Sequence, residues 1–201
     1  MALGLNRIEN LIERLDREVD LTNTTLDGHI IGKSQATYGA GALSTEVAPT
    51  TRISKVGNEI CTTIAVDLTG LKSANDVGDA IGLDGTDGAY LLQYSTTTHG
   101  ILYKVEVACI ELPTASSNEC LDIDLIVQSA ADVAYDDDIS GGTSIFAAGG
   151  NFALGTTIQN LVVGAPTNAH YLCLATGATH TGASVYTAGK LIIKLYGHAS
   201  F

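Results

Sequence analysis

A two-residue alternation of side-chain character recurs along the chain from about residue 53, and it leaves little room for anything but strands. Ile60, Thr62, Ile64 and Val66 alternate with Cys61, Thr63, Ala65 and Asp67. Ile101, Tyr103, Val105, Val107 and Cys109 alternate with Leu102, Lys104, Glu106 and Ala108. Leu121, Ile123, Leu125 and Val127 alternate with Asp122, Asp124 and Ile126. Successive side chains of a strand point to opposite faces, so this pattern lays one apolar face along each segment. Further candidates are Tyr90–Ser95, Thr156–Val163, His170–Ala175, Ser184–Thr187 and Leu191–Gly197. Turn signals separate them: Asp84-Gly85, Asp87-Gly88, Ser140-Gly141-Gly142, Gly149-Gly150 and Ala188-Gly189. Short strands between Gly-rich turns predict an all-β sandwich of jelly-roll type, with one helical turn added in Lys72–Ile81.

The first residues follow a different period. Leu5, Ile8, Leu11, Ile12, Leu15 and Val19 share one face at helical spacing. Asn6 can cap the N-terminus, with Glu9 three residues on as in a capping box. Glu13 and Arg17, like Arg14 and Glu18, are four residues apart, and Thr22 to Thr25 stops the run. The spacing predicts an amphipathic helix over roughly residues 4–21. A helix this short is marginal alone in water, so its apolar stripe needs a partner. That partner is either its own domain or another chain, and two heptads do not decide between them. Residues 24–51 show no sustained period and read as an extended arm. The expected division is an assembly segment, 1–52, and a β-sandwich body, 53–201.

Charge and composition exclude several classes. A net charge of −12 argues against nucleic acid, which needs a basic surface. No apolar run approaches the ~20 residues of a membrane span, and no basic-then-apolar leader opens the chain. The expectation is a soluble protein made in the cytoplasm. Cys61, Cys109, Cys120 and Cys173 show no paired spacing and are expected as free thiols. All 22 acidic residues lie at or before Asp138, and positions 139–201 carry only Lys190 and Lys194 as charged groups. Such a charge-poor stretch belongs to buried strands or to surfaces covered by neighbours.

No stretch carries a strong chemical signature. Asp84 and Asp87 sit in a Gly-rich loop that lacks EF-hand spacing, and tight turns account for them. Asp132 and Asp136 to Asp138 form an acidic cluster expected to be solvated. Asp122 and Asp124 share a strand face about 7 Å apart, near a glycosidase spacing, but their alternation with apolar residues favours a solvent-facing or interface-facing edge. His170 and Cys173 fall on opposite strand faces, and with His180 they complete no zinc set. Motifs for nucleophilic, phosphate-binding or zinc chemistry are missing, so the expectation is a non-enzyme without catalytic residues, cofactor or metal.

The segments IAVDLTGL (64–71), DVGDAIG (76–82), YKVEVACIELP (103–113), LDIDLI (121–126) and TAGKLIIKLYG (187–197) resemble virion structural proteins of marine tailed phages. The resemblance spans roughly residues 60–197 and stops short of the helix and arm. It implies a non-enzymatic β-rich protein of the particle, a head decoration (cement) protein on the capsid surface. The expected partners are its own copies, as a trimer, and the major capsid protein, with neither nucleic acid nor membrane. In that reading the helix docks through Leu5, Ile8, Leu11, Ile12, Leu15 and Val19, and Ile30, Ile31, Tyr38 and Leu43 anchor the arm. The alternative is a head-fibre or tail-associated module whose loops recognise a host glycan or receptor.

Overall fold

The computed structural model describes residues 25–26, 29–30, 38–44, 48–117, 120–162, 164, 166–179 and 182–199. Two short strands, β1 (Thr25–Leu26) and β2 (His29–Ile30), form a small antiparallel pair. A 3₁₀ turn at Ala40–Ala42 precedes β3 (Thr50–Val56) and β4 (Glu59–Asp67). There follow β5 (Lys72–Ser73), β6 (Tyr90–Gln93), a one-turn helix α1 (Thr96–His99) and the long β7 (Ile101–Ala115). The remaining strands are β8 (Ile123–Gln128), β9 (Thr143–Phe146), β10 (Thr157–Leu161), β11 (Tyr171–Thr176) and β12 (Ser184–His198).

These strands make two facing antiparallel sheets. The first runs β10-β7-β12-β4-β3, with β5 also paired to β12; the second runs β6-β11-β8-β9. Set β3 and β5 aside, and the eight others pair first with last, second with seventh, third with sixth and fourth with fifth. That is one long hairpin of strand pairs wrapped over itself. The wrapping brings β12 against β7 and β11 against β8. The winding is a jelly roll, the expected fold class for the body. The helix expected over residues 4–21 lies outside the described residues.

The two sheets are buried differently, which explains their sequences. In β12, Leu191, Ile193 and Leu195 enter the core, while Lys190, Ile192, Lys194 and Tyr196 stay half-exposed. The first sheet thus has one covered face, and its strands alternate strictly. In the second sheet, Ile123, Leu125 and Val127 face the same core as Leu172 and Leu174. Ile126, Cys173 and Ala175 on its other face are covered by Ala80, Ala89, Val133 and Ile139 from two long loops. A strand buried on both faces reads as a nearly continuous apolar run, and β8 and β11 do.

Three local expectations change. The candidate strands at Ser184–Thr187 and Leu191–Gly197 are one strand, and the Ala188-Gly189 signal marks a bulge instead of a turn. Opposite lies Pro113, which has no N–H for the ladder, and a Cβ on Gly189 (φ +137°) would sit 2.8 Å from the Pro113 Cα. Residues 72–81 form β5, turns and isolated bridges instead of a helical turn, because Ala80 pairs with Ala175 and Asp79 with Asp138. Residues 38–44 belong structurally with the body: the Gly39 N–H donates to the Tyr90 carbonyl (2.9 Å), the Gly41 carbonyl accepts from Leu83 (2.7 Å), and Ala42 is buried in the core.

Two substitutions test this core. Ile193, fully buried at the centre of β12, should lose about 2–5 kcal/mol as Ile193→Ala, against less than about 0.5 kcal/mol for half-exposed Ile110→Ala. Urea unfolding should show the midpoint fall with an unchanged slope. Thr62 is buried with a hydroxyl that has no hydrogen-bond partner among the described residues. Thr62→Val should therefore stabilise the protein by about 1 kcal/mol, read by the same titration.

Candidate functional site

The outer face of the first sheet is left uncovered among the described residues. Several of its polar groups are paired, within and across the strands. The Tyr196 hydroxyl donates to Glu106 Oε2 (2.6 Å), and Lys104 Nζ lies 2.9 Å from Glu106 Oε1 and 3.9 Å above the Tyr196 ring. The Tyr196 bond, followed by Lys104, holds the Glu106 carboxyl below its ordinary range. Burial, then the bond to Glu106, pushes the Tyr196 phenol well up. The Tyr103 hydroxyl donates to Glu59 Oε1 (2.9 Å), and the Tyr103 ring stacks on His198 at 4.9 Å. Lys190 bonds Glu111 and lies 3.8 Å from Asp67. Beside the Lys190–Asp67 pair, which borders it, lies a shallow groove lined mainly by Ala48, Thr50, Ala65, Ile110 and Ile192. Around the sheet, Val56, Ile101, Ile110 and Leu161 are exposed, Leu161 by 76%.

The acidic loops fasten turns. Asp84 pairs with Lys72 (3.2 Å), Asp137 accepts from the Ala134 N–H (2.7 Å), and Asp138 from the Ser140 N–H (2.8 Å). Among the described residues no group of three or more His, Cys, Asp or Glu is arranged to hold a metal ion. A neighbouring carboxylate is not solvated. Asp79 is buried beneath the loop, and burial, followed by the charges of Asp76, Asp136 and Asp138, raises its carboxyl above the ordinary 3.8.

Asp122 corrects the sequence reading more sharply. It is buried instead of edge-facing, because it precedes β8 and two loops wrap over it. One oxygen accepts from the Gly150 N–H (3.3 Å), and the other from the Thr179 N–H (2.9 Å) and hydroxyl (3.0 Å). Gly177 passes so close that a Cβ there would lie 2.3 Å from the Asp122 Cγ. Asp124 accepts from the Ala148 N–H (2.8 Å), and burial raises its carboxyl. Both carboxylates are occupied in tying loops to the second sheet. Cys109, Cys120 and Cys173 are buried free thiols, and burial pushes Cys173 up to about 12.

Of the residues expected at interfaces, Leu5, Ile8, Leu11, Ile12, Leu15, Val19 and Ile31 lie outside the described residues. Ile30 falls in β2, beside β3. Tyr38 is half-buried, and Leu43 is exposed where its neighbour Ala42 fills the core. Sequence reasoning did not single out Leu161 or Ile110. The run Thr157–Leu161 carries polar residues on both faces, so alternation could not show which side chains point outward.

No family model matches the sequence, and no curated protein matches it. Among solved structures, a chain described as BiXyn10A CBM1 APO shows 14% identity over 87% of this chain and 99% of its own, with a TM-score of 0.25. The coat protein of Tobacco streak virus shows 11% identity over 69% of this chain and 88% of its own, with a TM-score of 0.22. Neither likeness carries an inference about what this chain does.

The Asp79 site makes a pH prediction. A carboxyl whose folded value is raised costs the folded state nothing below its ordinary value, where both states are protonated. The full penalty applies above the raised value. Asp79→Asn should therefore raise Tm at pH 7, and the gain should vanish as the pH falls below about 4. Scanning calorimetry across that range checks it; a loss of Tm at pH 7 would show that the carboxylate is stabilising.

Proposed function

We propose that this chain is a virion structural protein: a decoration protein on the outer surface of a tailed-phage head, binding the major capsid protein and its own copies. The observation that carries this is the jelly-roll body with one open sheet face, on which Lys104, Glu106 and Tyr196 engage one another and Lys190 pairs with Glu111 and Asp67, with apolar side chains around it. Jelly rolls recur in viral capsid and lectin domains. Charged groups paired in this way can be covered by another protein without being stranded. The sequence resemblance points the same way, as does the charge-poor final third of the chain. In this reading the apolar stripe from Leu5 to Val19 supplies the docking helix. Each contact is modest and is multiplied over the particle by avidity.

A glycan- or receptor-recognising head-fibre or tail module is the second reading, and the Tyr103–His198 stack is the observation that favours it. Against it, Lys104 covers one face of the neighbouring Tyr196, and both tyrosine hydroxyls are engaged with glutamates.

Copy number separates the two: hundreds per particle support decoration, and a few support a vertex or tail role. Within the decoration reading, Ile12→Asp should abolish particle occupancy, since it sets an unpaired carboxylate in an apolar contact. Arg14→Ala removes at most an exposed ion pair worth about 0.3–0.5 kcal/mol and should leave occupancy nearly unchanged. Gel densitometry of purified particles reads both, and equal occupancy would remove the helix stripe from the interface.

A further inference from the structure

β10 is an edge strand of the first sheet, held on its inner side near β9 of the second sheet, where Asn160 Nδ2 donates to the Ala147 carbonyl (2.9 Å), and its outward geometry is self-complementary. Cys109 N–H donates to the Thr156 carbonyl (2.9 Å), and Val162 N–H to the Tyr103 carbonyl (2.9 Å). These bonds fix the parity of the β10·β7 ladder: residues 156, 158, 160 and 162 direct their backbone groups toward β7. Thr157, Gln159 and Leu161 then direct theirs away from the sheet. Their side chains are also exposed, on the open face.

Natural edges are ordinarily protected by charge, proline, a bulge or a covering segment. Thr-Ile-Gln-Asn-Leu has no charge and no proline, and its register against β7 runs without a shift. The opposite edge of the same sheet, β3, carries Arg52 and Lys55 and has β2 alongside. In the second sheet, the Tyr90 carbonyl of edge strand β6 is taken by the Gly39 N–H.

We propose that β10 is a docking edge for a second copy of this chain, the two strands pairing antiparallel about a two-fold axis at Gln159. In that register Thr157 faces Leu161 of the other copy, and Gln159 faces its own counterpart. All three outward positions then fall in hydrogen-bonded pairs, each exchanging two N–H···O bonds. Charge selects the same occupant. A chain of net −12 repels its copies except where acidic groups are missing, and β10 lies in the stretch beyond Asp138 that has none. The nearest carboxylate in the row, Glu106 beside Gln159, is already held by Lys104 and Tyr196. The two open sheet faces would join into one continuous surface on the same side. This contact does not depend on the proposed role in the particle.

Gln159→Cys tests it in the full chain. A hydrogen-bonded antiparallel pair holds its Cα atoms about 5.5 Å apart, within disulfide range. Thr157→Cys is the control, since its own counterpart lies about 13 Å away along the partner strand. Under mild oxidation Gln159→Cys should give a disulfide-linked dimer on non-reducing gels, at least about tenfold more than Thr157→Cys or the unmodified protein. Sedimentation between about 10 and 500 μM reads the unlinked contact, a range suited to a small interface. Gln159→Lys, which opposes two ammonium groups at the axis, should abolish that concentration dependence. The proposal is overturned if Gln159→Cys does not cross-link above the control, if Thr157→Cys cross-links equally, or if Gln159→Lys associates like the unmodified chain.

Discussion

The β12 ladder is the interaction on which the rest of the body depends. This 15-residue strand is flanked by β4 on one side and β7 on the other, and it also holds β5. It is the last strand of the winding, yet it occupies the middle of the first sheet. The sheet therefore cannot close until β12 has been placed. Most of its pairings join residues far apart in sequence, so their loop-closure entropy has to be met before they stabilise anything. Core-facing Leu191, Ile193 and Leu195 supply the burial that offsets it.

From that placement follows the asymmetry of the two sheets. The second sheet is covered twice, by the first sheet and by the loops carrying Ala80, Ala89, Val133 and Ile139. Those loops are long and rich in Asp and Gly, and they are fixed both by this apolar cluster and by hydrogen bonds. Asp137 and Asp138 accept from N–H groups within these loops, and Asp122 accepts from those of the loops carrying Gly150 and Thr179. Acidic residues that suggest ion binding when read in a row thus act as turn and loop fasteners. Asp79 is the exception, a buried carboxyl among like charges.

The first sheet, covered once, keeps an open face on which Glu106, Lys104 and Tyr196 neutralise one another. Such a surface suits broad contact with protein better than capture of a small charged ligand. It also places the uncharged β10 edge at one margin and the β3 edge, beside β2, at the other. The two margins differ in charge because the basic residues Arg52 and Lys55 lie in β3, whereas β10 belongs to the charge-poor final third.

Strand alternation by itself determined the all-β class and the positions of β4, β7, β8 and most of β12, because a strand with one buried face must repeat every two residues. Local pattern could not reveal β9, which is four residues long, nor the continuity of β12 through Gly189, where a turn signal and a bulge have the same composition. Residues 72–81 likewise take their shape from Ala175 and Asp138, distant in sequence. Burial of Asp122 and exposure of Leu161 were decided by tertiary structure alone: whether a side chain meets water depends on which loop or sheet edge lies beside it, and those neighbours are set by the winding of the whole chain.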